Sequence, residues 1–181
     1  MAGITADPAP VIRRTIFDYT RDPSFRGRVV FVEGYDMEIG RMLVSGADVW
    51  LNTPRRPYDA SGTSGQKIAM HGALNLSILD GWWPEGYDGR NGWAIGPDAS
   101  AEYKDPEVQD PEDAGYLYDL LETSVVPSFY ERNDDGIPVA WIDRMRAAMS
   151  ALPYAFSAHR MVSEYARRFY YVGEEIAVEA V

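Results

Sequence analysis

Ser61-Gly62-Thr63-Ser64-Gly65-Gln66-Lys67 is the stretch of this chain best suited to chemistry. Glycines and small hydroxyl residues alternate, then a lysine follows. The pattern predicts a turn that opens a helix at about Ser64. Glycines let successive backbone N–H groups aim at one point, and a helix N-terminus adds partial positive charge. Such a turn suits a phosphate. It is not the nucleotide-binding pattern of Gly-Lys-Ser/Thr in succession, because Gln66 precedes Lys67 and Ile68 follows. Lys67 falls within about the first helical turn, so its amine is near any anion the turn holds. A phosphate cradle beside a lysine is what a pyridoxal-phosphate Schiff base requires. The same residues also describe a solvated lysine after a flexible turn, and by themselves they do not choose between the two.

The elements that must position this turn are legible from hydrophobic patterning. Val11, Ile12, Ile16, Phe17 and Tyr19 predict a helix over about 11–20, ended by Asp22-Pro23. The β-branched run 28–33 (RVVFVE) reads as a buried strand. A helix over 36–43 follows, with Gly46 as its C-cap, then a strand over 47–52. Residues 53–59 form a loop into the glycine turn, and a helix runs from about Ser64 to Gly72. Strands are predicted at 74–79 and 93–96, separated by a Gly- and Trp-rich loop. Strands alternating with helices at this spacing argue for βαβ units and a parallel sheet. Residues 97–113 read as an exposed acidic connection. Helices then cover 111–132, 139–152 and 156–171, and 172–181 is a loose tail.

Composition excludes several classes. The chain has 181 residues, 46% of them hydrophobic, enough for a real core. A net charge of −11 argues against general nucleic-acid binding, which needs a basic face. There is no cysteine, hence no disulfide framework, thiolate zinc site or cysteine nucleophile. That fits a reducing cytoplasm. No apolar run is long enough to span a membrane, and MAGITADPAP has no signal-peptide pattern. Lys67 and Lys104 are the only lysines.

Other residues carry two readings each. Arg55 and Arg56 could steer anions or be a solvated loop. Trp82 and Trp83 could stack on sugar or cover a core edge. His71 reads as a helix-end packing residue and His159 as structural, and neither supports a metal site, which needs convergent ligands. The acidic run Asp105, Glu107, Asp110, Glu112 and Asp113 reads as solvated. Phe156, Tyr165, Phe169 and Tyr170 read as a helix-packing stripe that is sticky if uncovered.

The segment 52–67 (NTPRRPYDASGTSGQK) resembles the cofactor segment of the α-glucan phosphorylases, the glycogen, starch and maltodextrin phosphorylases. The resemblance continues through 74–83 (LNLSILDGWW) and 91–96 (NGWAIG). It includes 30–36 (VFVEGYD) upstream, and 126–130 (VPSFY) and 156–161 (FSAHRM) downstream. It covers roughly residues 10 to 172 and is nearest to the short, unregulated bacterial and archaeal branch.

The resemblance implies an α/β fold: part of the C-terminal Rossmann-like domain of a two-domain (GT-B) glycosyltransferase. It places the cofactor-binding domain at 1–110, a helical C-terminal extension at 111–172 and a tail at 173–181. It implies that Lys67 carries pyridoxal 5'-phosphate and that Thr63, Ser64 and Gly65 hold the cofactor phosphate. It sets Tyr35 near the cofactor, and Asp59, Ser61 and Gly62 on the glucosyl unit. Asp59 stands where glutamate is usual, Gln66 where methionine is, and His71 where asparagine is common. The implied chemistry is retaining phosphorolysis of an α-1,4-glucan or maltodextrin by inorganic phosphate to glucose 1-phosphate, with the cofactor phosphate exchanging the proton. No metal is implied.

The resemblance also implies that a first domain is missing, so that these residues alone are inactive or nearly so without an N-terminal domain or chain. A sheet lacking its first strands leaves an unpaired edge, and self-association is expected. The competing readings are a non-catalytic fragment that binds or assembles, and a nucleotide-sugar glycosyltransferase on the same fold. Lys67 in this turn argues against the last.

Overall fold

The computed structural model describes residues 9–98 and 105–170. They fall into two compact units, one up to Arg41 and one from Met42 onward.

In the first unit, α1 (Ala9–Arg21) forms where the apolar spacing predicts it and stops at Asp22-Pro23. The Asp22 carboxylate accepts from the Ser24 N–H at 2.8 Å, capping a short 3₁₀ turn over Pro23–Phe25. A bond from the Ser24 hydroxyl, together with that N–H, holds the Asp22 carboxyl below the usual range. Phe17 meets Phe31 edge to face at 6.4 Å. Asp36 Oδ1 accepts from the Ile39 N–H at 2.8 Å and caps α2 (Met37–Gly46). The predicted strand at 28–33 does not form: the segment has no regular structure, and Val30 is 73% exposed. A strand needs a partner for its N–H and C=O groups, and this unit has no other strand among its described residues.

The second unit is a parallel sheet in the order β1-β2-β3, made of Val49–Asn52, Leu74–Ile78 and Gly92–Ile95. Val49 pairs with Leu74, and Asn75 pairs with Gly92. Between β1 and β2 the chain crosses over through α3 (Thr63–Ala69), two or three residues shorter than the pattern predicts. Between β2 and β3 it forms only the short α4 (Trp83–Gly86), inside the Gly- and Trp-rich loop. Every residue of β2 is buried, as expected of a central strand covered on both faces.

Helix α5 (Pro106–Leu120) starts five residues before the expected Pro111. Asp105 accepts from the Glu107 N–H at 3.0 Å, with Pro106 at the first helical position, a stronger start than a proline alone. The helix widens into a π-helical turn at Leu121–Val125 before α6 (Val126–Tyr130), where Pro127 has no N–H to give. Helix α7 (Val139–Ala155) runs through Pro153 rather than ending at Leu152. Helix α8 (Ala158–Tyr165) is capped by Ser157, which accepts from the Arg160 N–H at 3.1 Å. Lys104 and the tail lie outside the described residues.

The core joins Leu74, Leu76 and Ile78 to Trp83, Trp93, Trp141, Ala148 and Leu152. Trp83 is fully buried, and its indole N–H donates to the Trp93 carbonyl at 3.1 Å. Trp82 meets Phe156 edge to face at 4.9 Å, so Phe156 leaves the expected stripe and joins the core, while Tyr165, Phe169 and Tyr170 stay exposed. No helix among the described residues is long and apolar enough to cross a membrane.

Leu76→Ala is expected to lower unfolding free energy by about 2–5 kcal/mol, by lost burial plus a cavity. Leu51→Ala, on the half-exposed face of β1, should cost less than about 1 kcal/mol. Urea unfolding of both variants checks the pair.

Candidate functional site

Site residues cluster where β1 and β2 end, the edge of a parallel sheet at which ligands of such folds bind. Three groups anchor the glycine turn there. Asn75, on the buried strand β2, donates from Nδ2 to the Gly65 carbonyl at 3.1 Å. Asn52, the last residue of β1, donates from Nδ2 to Asp59 Oδ2 at 3.0 Å and to Ser77 Oγ at 3.3 Å. The Asp80 carboxylate, just past β2, accepts from the Asp59 N–H and the Gly81 N–H, each at 2.9 Å. The Ser61 carbonyl accepts from the Trp82 N–H at 3.0 Å. Residues 59–65 are thus sewn to the strand ends at both sides.

Gly62 stands at the start of α3 with φ of 81°, a conformation that strains other residues. Gly65 is required by space: a Cβ there would lie 2.5 Å from Asn75 Oδ1 and 3.0 Å from the Trp82 indole nitrogen. The turn and the strand ends enclose a cavity of about 130 Å³ lined by Trp50, Asn52, Gly62, Ser64, Gly65, Asn75 and Trp82.

The structure brings Asp59, Ser61, Gly62, Thr63, Ser64, Gly65 and Lys67 into this one segment. Lys67 is exposed in the last turn of the short α3, not in its first as expected. Among the described residues its ammonium makes no hydrogen bond or ion pair. The hydroxyls of Thr63 and Ser64 also have no hydrogen-bond partner there, so the donor set is uncommitted. An amine for a carbonyl carbon and two hydroxyls for a phosphate fit pyridoxal phosphate by chemistry. Asp59 is half-buried and already accepts from Asn52. Tyr35 lies in the first unit, its hydroxyl beside Gly40.

Several expectations are corrected. Arg55 is exposed on its loop, as the solvated reading has it for one of the two, whereas Arg56 is largely buried. Arg55 donates to both oxygens of Asp110, at 2.9 and 2.5 Å, and Arg56 Nη2 reaches Asp113 Oδ1 at 3.4 Å. The acidic run is accordingly not all solvated: Asp113 is buried and Asp110 paired. His71 is exposed rather than packed at the helix end. For Trp82 and Trp83 the core reading holds: both are core residues, and Trp82 also borders the cavity. The anchors Asn52, Asn75 and Asp80 were not anticipated as site residues. Their signal was a polar side chain in, or just after, an apolar strand.

The sequence matches known proteins over nearly its whole length. It is 44% identical over 169 residues to the glycogen phosphorylase of Aquifex aeolicus, and 46% identical over 157 residues to the maltodextrin phosphorylase of Thermococcus litoralis. The chain is homologous to a part of the glycogen and maltodextrin phosphorylases. A glycogen phosphorylase of Mycobacterium bovis is 44% identical over 164 residues. These alignments cover 91%, 87% and 91% of this chain but only 24%, 18% and 19% of the relatives, so the chain spans about a fifth to a quarter of their length. No protein-family model matches the chain.

Gly65→Ala is expected to destabilise the chain by about 1–3 kcal/mol through the clash with Asn75 and Trp82. Lys67→Ala, at an exposed and unpaired side chain, should stay within about 0.5 kcal/mol of wild type. Thermal unfolding of the two variants separates a packed turn from an amine kept for another purpose.

Proposed function

We propose that this chain carries the pyridoxal-phosphate-holding segment of an α-glucan phosphorylase active site, on part of the C-terminal Rossmann-like domain of a GT-B fold. Its range would be about 1–110, with the helices of 111–172 as an extension. The observation that carries the reading is the pairing of an anchored glycine turn with an unpaired, exposed Lys67 and two uncommitted hydroxyls. The phosphorylase homology supports it.

In this reading Lys67 holds the cofactor covalently through its amine. Thr63 and Ser64 donate hydrogen bonds to the cofactor phosphate, and Gly65, without a side chain, holds the turn that carries them in place. Pyridoxal phosphate, when bound, would supply through its phosphate a proton exchange with inorganic phosphate. Asp59 accepts from sugar hydroxyls, and its bond from Asn52 keeps the carboxylate oriented for that. Ser61 and Gly62 present backbone groups to the same glucosyl unit. The substrates would be an α-1,4-glucan or maltodextrin with inorganic phosphate, and the product glucose 1-phosphate. Positioning of reactants supplies much of such a rate. These 181 residues alone are therefore expected to turn over little or nothing until they are joined by an N-terminal domain or chain. The cytoplasm, where these substrates occur, is the matching compartment.

The test is intact mass and peptide mapping after borohydride reduction of protein incubated with pyridoxal phosphate. One adduct on Lys67, absent in Lys67→Ala, is expected. Equal labelling of Lys104, or no adduct, would overturn the reading and favour a module that keeps the fold without the cofactor.

A further inference from the structure

Arg55 and Arg56 lie on the loop between β1 and the glycine turn, and their partners Asp110 and Asp113 lie three residues apart on α5, one helical face. Two adjacent arginines therefore grip two carboxylates of one helix. The inner pair is unusual. The Arg56 and Asp113 side chains are 13% and 11% exposed, and Arg56 Nε and Nη1 are buried without a hydrogen-bond partner among the described residues. Asp113 is held in turn by Gln109, whose Nε2 donates to Oδ2 at 3.1 Å. Gly96, just past β3, gives it room: at φ of 86°, a Cβ there would lie 2.9 Å from Asp113 Oδ1.

A buried ion pair with unanswered donors gains little stability over apolar side chains of the same shape, because desolvation offsets the attraction. What it does supply is direction. Arg56 reaches Asp113 only if the loop lies in one place, and Asp59, which carries two of the site's hydrogen bonds, follows three residues later. We propose that the Arg56–Asp113 pair, backed by the exposed Arg55–Asp110 pair, is a clamp by which α5 sets the position of Asp59 and the glycine turn before Lys67. Arg56 and Asp113 are positioning residues, not catalytic ones. The proposal rests on the reading of the Lys67 turn as a cofactor site, and its test separates the two.

The experiment is hydrogen exchange over residues 53–62 of the whole chain, with the protection of 74–78 as control, beside pyridoxal-phosphate titration followed by absorbance. Asp113→Asn keeps shape and removes charge. With β2 still protected, exchange in 53–62 should rise about tenfold and the cofactor Kd should rise about tenfold, in keeping with a broken buried pair. Arg55→Asp sets two carboxylates together and should speed exchange about threefold. Adding Asp110→Arg should restore it to within about twofold, a rescue that general loosening would not show. If Asp113→Asn does not fold, the Arg55→Asp and Asp110→Arg series decides. Unchanged exchange in a folded Asp113→Asn, or no rescue in the swap, overturns the clamp. Should wild type take up no pyridoxal phosphate, the cofactor reading falls and exchange still decides the clamp. Should cofactor bind equally well to wild type and Asp113→Asn, the clamp's link to the site is overturned.

Discussion

The full burial of β2 is the constraint on which the second unit depends. A strand wet on neither face must have every polar group answered from inside. Its apolar side chains, Leu74, Leu76 and Ile78, meet the tryptophans and the α7 residues. Its polar ones, Asn75 and Ser77, cannot reach solvent and are satisfied by Gly65 and Asn52. The Asn75 bond fixes the glycine turn against the sheet, and Asn52 ties Asp59, just before the turn, to the same strand ends. The need to satisfy buried amides and the geometry of the candidate site are one problem with one solution.

Close approach is the second half of that solution. Asn75 can bond the Gly65 carbonyl because no side chain stands between them. The Trp82 indole fills the remaining side of the turn, and its backbone N–H ties down Ser61. The aromatic loop after β2 thus serves the site from behind. Among the described residues Lys67, Thr63 and Ser64 are left without such duties.

Charge is used in two ways across the chain. Arg14 with Asp18 and Arg41 with Glu38 are exposed helical pairs worth little. The Glu38 carboxyl lies below its usual range because the Arg41 guanidinium bonds it. The pair at Arg56 and Asp113 is different in kind, because it is buried and joins segments far apart in sequence. An acidic chain of net charge −11 therefore hides one of its carboxylates where a run of acids looked solvated.

Local sequence by itself determined much of this. The glycine turn, the lysine after it and the alternation of strand and helix rest on residues near one another in the chain, and the homology to phosphorylases is read from the sequence along most of its length. Helices α1, α2 and α3 and strands β1, β2 and β3 could be placed because periodicity and caps are local signals. The run 28–33 had the same β-branched signal and formed no strand, because pairing is supplied by a neighbour and not by propensity. Pro111 and Pro153 did not start or stop helices, since the caps and packing around them outweighed their own preference. Only the tertiary structure decided that Asn75 holds Gly65, that Phe156 leaves its stripe for Trp82, and that Arg56 meets Asp113 fifty-seven positions away. Each is a contact between distant segments, set by which groups were buried together, and no short window of sequence contains both partners.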